Sequence, residues 1–222
     1  MAVKYALFTI GSSIEYFSIF ILMFTLFRFR LTDKLVITLI VSLMMSQVSY
    51  FTRLVPEIGS LSSFIQLAIM IVVLWVLFRI PLFYSIIMNA AGFICGAATQ
   101  GIVIFLVTFS GVEISTIQDN PWISTAVQLL SVTATIAISR IIFTYNLSFD
   151  YVPVSHRARV KIRGTNAILM AVIMTSLFIT ILAAYLLKGN YEEYIFVASA
   201  TFLVAIPLFL YYSRRKDDED AS

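Results

Sequence analysis

The chain has 222 residues, 60% of them hydrophobic and 12% charged, and its mean hydropathy is +0.97. That composition excludes a soluble globular protein and describes an all-α integral membrane protein whose surroundings are a lipid bilayer. A net charge of +3 is too small to point to nucleic acid, and a single cysteine, Cys95, excludes an intramolecular disulfide and a multi-cysteine metal site.

Seven candidate transmembrane helices follow in chain order: Tyr5–Phe27, Leu35–Phe51, Leu61–Phe78, Pro81–Phe109, Trp122–Phe143, Ala167–Leu187 and Tyr194–Tyr212. The first carries only Lys4 ahead of its apolar run and has no small-residue cleavage site, so it reads as an uncleaved span. The second and third lie near the lower length limit of ~17 residues. The fourth is the centre of the bundle. No charge interrupts it between Arg79 and Glu113, and at ~1.5 Å per residue a helix of that length reaches ~50 Å, well beyond a ~30 Å hydrocarbon core. Its middle is rich in small residues, with Gly92 and Gly96 in a G-x-x-x-G and Gly101 extending the smooth surface. In lipid such a patch marks a face where backbones approach closely. Pro207 is the one proline inside a span, and a kink is expected there.

Residues 1–213 form a single transmembrane domain and 214–222 a charged tail, a basic stop with an acidic cap that is expected to fray into solvent. Orientation follows from Lys and Arg in the short loops. With the N-terminus outside and the C-terminus cytoplasmic, the inner loops receive Arg28, Arg30, Lys34, Arg79, Arg140 and the run Arg214-Arg215-Lys216. The outer loops keep Lys4, Arg53 and Lys188 and are otherwise acidic, with Glu57, Glu113, Asp119, Glu192 and Glu193. The longest loop, 144–165, is then cytoplasmic. Its basic patch Arg157, Arg159, Lys161 and Arg163 suits anionic headgroups, at ~1 kcal/mol per residue near the surface, or a cytoplasmic partner.

Glu15 is the acid set well inside a span. Ionisable groups there cost several kcal/mol and are functional candidates, although a protonated glutamate joining two helices is the plainer account. Gln47, Gln66, Gln100 and Gln128 all fall in the outer half of their spans. Separate interhelical hydrogen bonds would explain any one of them; a polar cavity open to the outside would explain the shared level. With Glu15 below, these residues form the candidate ligand-binding level. Asn89 is the single deeper amide on the inner side.

Catalytic signatures are missing. One histidine, His156, cannot supply H-E-x-x-H, and neither G-x-S-x-G nor a P-loop occurs. No enzyme activity and no cofactor are expected.

Two stretches carry a resemblance: Ile14-Glu15-Tyr16-Phe17 with Leu26-Phe27-Arg28-Phe29-Arg30, and Trp75-Val76-Leu77-Phe78-Arg79-Ile80-Pro81-Leu82. They resemble membrane proteins of Bacillus- and Paenibacillus-like Gram-positive bacteria, which in turn look like the sensor half of Agr-type peptide-pheromone receptor kinases. The likeness covers the whole chain in layout, and its motifs are short and hydrophobic. It implies quorum sensing, in which the bundle binds a secreted peptide from outside and a histidine kinase follows the last span. No such kinase lies between that span and Ser222, so the expected function is a sensor in the cell membrane that relays to a separate partner, a histidine kinase or another protein. The alternatives are a substrate-binding membrane subunit of a transporter and a structural or immunity-type membrane protein with no ligand.

Overall fold

The computed structural model describes residues 2–55, 61–153, 164–187 and 190–221. The basic patch Arg157, Arg159, Lys161 and Arg163, together with Glu57 and Lys188, lies outside the described residues. The helices are α1 (Ala2–Leu26), α2 (Leu35–Leu54), α3 (Ser62–Val76), α4 (Leu82–Phe109), α5 (Ile114–Asp119), α6 (Pro121–Thr144), α7 (Thr165–Leu186) and α8 (Tyr191–Ala221). A 3-10 turn, Thr32–Lys34, leads into α2, and no strand occurs among the described residues.

Six helices (α1, α2, α4, α6, α7 and α8) are long and apolar enough to cross a membrane, and the chain is a multi-pass membrane protein by that measure. The expected third span is shorter than its apolar run. Helix α3 has 15 residues, which cover ~22 Å at ~1.5 Å per residue. It stops because Arg79 takes φ 58° and the Ile80 N–H reaches back to the Leu74 carbonyl at 3.2 Å, closing the helix end.

Each helix sorts its side chains by phase. On α2, Val36, Leu39, Ile40, Leu43 and Met44 are exposed, while Thr38, Val41, Ser42, Met45, Ser46 and Ser49 are buried. This pattern is inverted relative to a water-soluble helix only in what it exposes, because lipid accepts leucine as readily as a core does. The buried hydroxyls satisfy themselves locally. On α6, Ser131, Thr135 and Ser139 donate to the carbonyls of Val127, Ser131 and Thr135 at 3.0, 2.9 and 2.8 Å, so small polar residues enter the interface without an unmet donor.

The bundle has two dissimilar ends. At one, called here the basic end, α1, α3 and α6 finish and α4 and α7 begin. Its core is aromatic: Phe20, Phe24, Phe27, Phe78, Tyr84, Phe149 and Tyr151 are all buried. Residues 145–153 form a strap across it. The Phe149 N–H donates to the Leu26 carbonyl at 2.7 Å, Tyr151 Oη lies 3.1 Å from Ser213 Oγ, and the Asp150 N–H donates to Asp217 at 2.7 Å. Here the expectation of a frayed tail is corrected. Helix α8 runs on through Ala221, because Arg215 and Glu219 pair one turn apart at 3.1 Å and Thr165 donates to Glu219 at 2.7 Å.

The opposite end, called the α5 end, holds the start of α1, the end of α2, the starts of α3 and α6, and the six-residue helix α5. Asn120 caps α6 there, its Oδ1 accepting from Trp122 N at 3.0 Å with Pro121 in the first turn. The sequence reading did not resolve α5, whose six residues are too few for helical periodicity to register.

Candidate functional site

A cavity of about 420 Å3 runs from the α5 end into the middle of the bundle. Its walls are built from single helical stripes, each following the i, i+3, i+4, i+7 spacing of one helix face. Helix α1 contributes Ser12, Glu15, Tyr16 and Ile19; α3 contributes Ser63, Gln66, Leu67 and Met70; α6 contributes Ser124, Val127, Gln128, Ser131 and Thr135. From α4 come Asn89, Phe93, Gly96, Ala97, Gln100, Gly101 and Ile104, and from α8 Tyr194, Ala198, Ser199 and Phe202. Arg53 and Gln118, both exposed, stand at the rim. The small residues of α4 therefore serve two purposes. They open the cavity on one face and admit neighbouring helices on the others.

The three glycines on α4 do not act as one packing face. A Cβ on Gly92 would lie 2.4 Å from Met23 Cγ on α1, and one on Gly101 would lie 2.1 Å from Ser199 Oγ on α8. At Gly96 the nearest atom would be Ile19 Cγ1 at 3.4 Å, an ordinary contact. Gly92 and Gly101 are thus the close approaches, and Gly96 is part of the cavity wall. Gly11 was missed by the sequence reading; a Cβ there would lie 2.3 Å from Gln128 Oε1, so its bare backbone makes room for that amide.

Three of the four glutamines, Gln66, Gln100 and Gln128, share the cavity with Glu15, and Gln47 does not. Helix α2 turns Ser49 and Arg53 to the cavity, and Gln47, two residues from Ser49, points ~200° away around the axis at ~100° per residue. Gln47 instead fastens α2 to α1: it accepts from Tyr5 Oη and donates to Thr9 Oγ1 and Ser46 Oγ, both at 3.4 Å. Gln66 fastens α3. It accepts from Tyr16 Oη and donates to Ser62 Oγ at 2.7 Å, and Ser62 in turn meets Thr52 on α2. Asn89, at the deep end, donates to the Leu67 carbonyl at 2.7 Å.

Glu15 and Arg53 are the charged side chains among the lining residues. Glu15 is half-buried, and its carboxylate makes no hydrogen bond or ion pair with any described residue. Two nearby donors are committed elsewhere, Ser18 Oγ to the Glu15 backbone carbonyl at 2.7 Å and Ser13 Oγ to the Thr9 carbonyl at 2.6 Å, whereas Ser12, one turn before Glu15 on the lining, makes no hydrogen bond with a described residue. Arg53 rests over the Phe8 ring, 5.4 Å from its centroid. The amides of Gln100 and Gln128 likewise have no hydrogen-bond partner among the described residues. Among those residues no cluster of three His, Cys, Asp or Glu side chains could hold a metal ion. The arrangement is a recess lined in part by polar side chains that no described residue hydrogen-bonds. No family model, curated protein or solved structure matches the chain.

Proposed function

We propose that this protein is a membrane-embedded binding module that receives a ligand from outside the cell at its α5 end and relays the bound state to a separate partner at its basic end. The cavity carries this reading: its size falls within the ~300–1,000 Å3 range of small-molecule sites, and Glu15, Gln100 and Gln128 offer it polar groups that no described residue uses. The orientation rests on charge, since Arg28, Arg30, Lys34, Arg79, Arg140, Arg214 and Arg215 gather at the end that would face the cytoplasm. On this reading α3 completes seven crossings, with the N-terminus outside and the C-terminus inside. A peptide is the ligand class implied by the resemblance to Agr-type sensors, and a histidine kinase the implied partner. A transport subunit would need a path past Phe20, Phe24, Phe78 and Tyr151, which are buried and packed together; that packing favours sensing over transport.

Accessibility tests the reading. In a Cys95→Ala background, Gln100→Cys and Gln128→Cys should react with an impermeant thiol reagent added outside intact cells. Ile102→Cys and Leu130→Cys, at neighbouring lipid-exposed positions, should not. Silence at both glutamine positions would overturn it. Co-purification then separates the partners, a kinase supporting the relay and an ATPase supporting transport.

A further inference from the structure

We infer that the cavity selects a cationic guest and that the Glu15 carboxylate is its recognition point, taking the ammonium or guanidinium group of a small amphipathic molecule or of a peptide end. The inference rests on the binding function proposed above and adds the chemistry of the ligand. A carboxylate within a membrane span is costly unless paired, and the fold leaves Glu15 without a hydrogen bond or ion pair among the described residues. Three of its neighbours spend their hydroxyls elsewhere. Tyr16 is committed to Gln66, and Ser18 and Ser13 to backbone carbonyls. Arg53, on the Phe8 ring at the rim, lies beyond ion-pair distance and acts on Glu15 only through space. A cation bonded directly to the carboxylate would therefore come from outside the chain. A bare metal ion is a poor match, since Glu15 would be its sole carboxylate ligand among the lining residues and the space of about 420 Å3 is far larger. The walls describe the rest of the guest. Ile19, Phe93 and Phe202 offer apolar surface, and the Gln100 and Gln128 amides can each donate to and accept from a polar group.

Charge-matched thiol reagents test this without a known ligand. Gln128→Cys, in the Cys95→Ala background, is treated with a cationic and an anionic methanethiosulfonate. Both rates are divided by those at Ser110→Cys, an exposed position at the same end. The cationic reagent should react at least about tenfold faster at Gln128→Cys than the anionic one. Glu15→Gln should bring that ratio to one or below, since Arg53 is then the charge left in the lining, while Glu15→Asp should preserve it and so guard against a folding defect. Equal rates in the parent protein, or a preference for the anionic reagent, would overturn the inference while leaving the cavity in place. No reaction with either reagent, here and at Gln100→Cys, would instead remove the binding function itself. The source of the cation is then read from protection by millimolar phenethylamine, by a tripeptide with a free N-terminus and by its N-acetylated form. Protection by the amine alone assigns a free small amine, and protection by the free but not the acetylated tripeptide assigns a peptide end. Protection by none of the three would overturn the ammonium assignment.

Discussion

Gly92 meets Met23, which is fully buried, across the α1–α4 contact. Because a Cβ would fall 2.4 Å from Met23 Cγ and 3.3 Å from Ile19 Cγ2, even one added methyl forces the α1 side chains to move. Gly92→Ala should cost about 1–3 kcal/mol, the usual penalty for overpacking a filled interface. Gly96→Ala, with its nearest neighbour at an ordinary 3.4 Å, should stay within about 0.5 kcal/mol. Thermal unfolding in detergent measures both, and equal losses or the reverse order would contradict the packing described here. The G-x-x-x-G was legible as a region of close approach, but not as two residues with different tasks. The same limit explains Gln47. Depth in the membrane can be counted from the sequence, whereas the direction a side chain leaves its helix depends on how that helix is rotated against its neighbours. Gln66, Gln100 and Gln128 converge because their helices present those phases; Gln47 lies at a similar level and joins α1 to α2 instead.

At the scale of the element, two of the motifs that carried the family resemblance turn out to be helix stops, while Ile14-Glu15-Tyr16-Phe17 lies inside α1. In Leu26-Phe27-Arg28-Phe29 and Leu77-Phe78-Arg79-Ile80 the arginine adopts φ 54° and 58°, and the following N–H returns to Phe24 O at 2.9 Å and Leu74 O at 3.2 Å. Helix α6 ends the same way, with Asn146 at φ 54° and Leu147 N bonded to Ile142 O at 3.0 Å. Asparagine suits that conformation; arginine does not, at roughly 1–2 kcal/mol. Its positive charge recovers about 0.3–1 kcal/mol at a helix C-terminus, and Arg28 also donates to Asn146 at 3.1 Å and approaches Asp150 at 3.7 Å. Arg28→Val, which keeps the strain, adds β-branching and loses the contacts, should therefore destabilise by about 1–2 kcal/mol. Arg28→Gly should cost clearly less, because relief of the backbone offsets the lost contacts. Denaturation of the two variants decides it, and a larger loss for glycine would refute the strained cap. The apolar runs made the long helices readable, since only a helix satisfies its own backbone in lipid. The caps were read as topological charge, because the returning N–H bonds are properties of conformation. The tail was misread for a related reason: Arg-Arg-Lys-Asp-Asp-Glu-Asp resembles a solvated end until Thr165 and the Asp150 N–H are placed against it.

For the whole molecule, the number of crossings turns on α3. It is too short for a relaxed bilayer, yet its two ends are held at opposite ends of the bundle. Ser62, in its first turn, meets Thr52 in the last turn of α2, while Phe78, just past its last residue, packs 5.4 Å from Phe24 near the end of α1. A short helix anchored at both ends can cross where the bilayer thins locally, at a fraction of a kcal/mol per Å of mismatch. The proposed seven-span orientation therefore makes a paired prediction for a reporter enzyme active only outside the cell. Fusions after Val55 and Glu113 should be active, and fusions after Arg79 and Lys161 silent. Alternation between Val55 and Arg79 is the sensitive step. If α3 lay along the surface, both of those fusions would report one side, and every later helix would reverse its direction. The basic end would then be split between the two faces of the membrane, with Arg28, Arg30 and Lys34 on one side and Arg140, Arg214 and Arg215 on the other. That arrangement would separate Arg28 from Asp150 and Leu26 from Phe149, contacts of 3.7 and 2.7 Å that close the basic end. An active fusion after Arg79 would thus overturn the orientation and the closure of the basic end together, whereas a silent one keeps the α5 end, with Arg53 and Gln118 at the cavity rim, on the outer side.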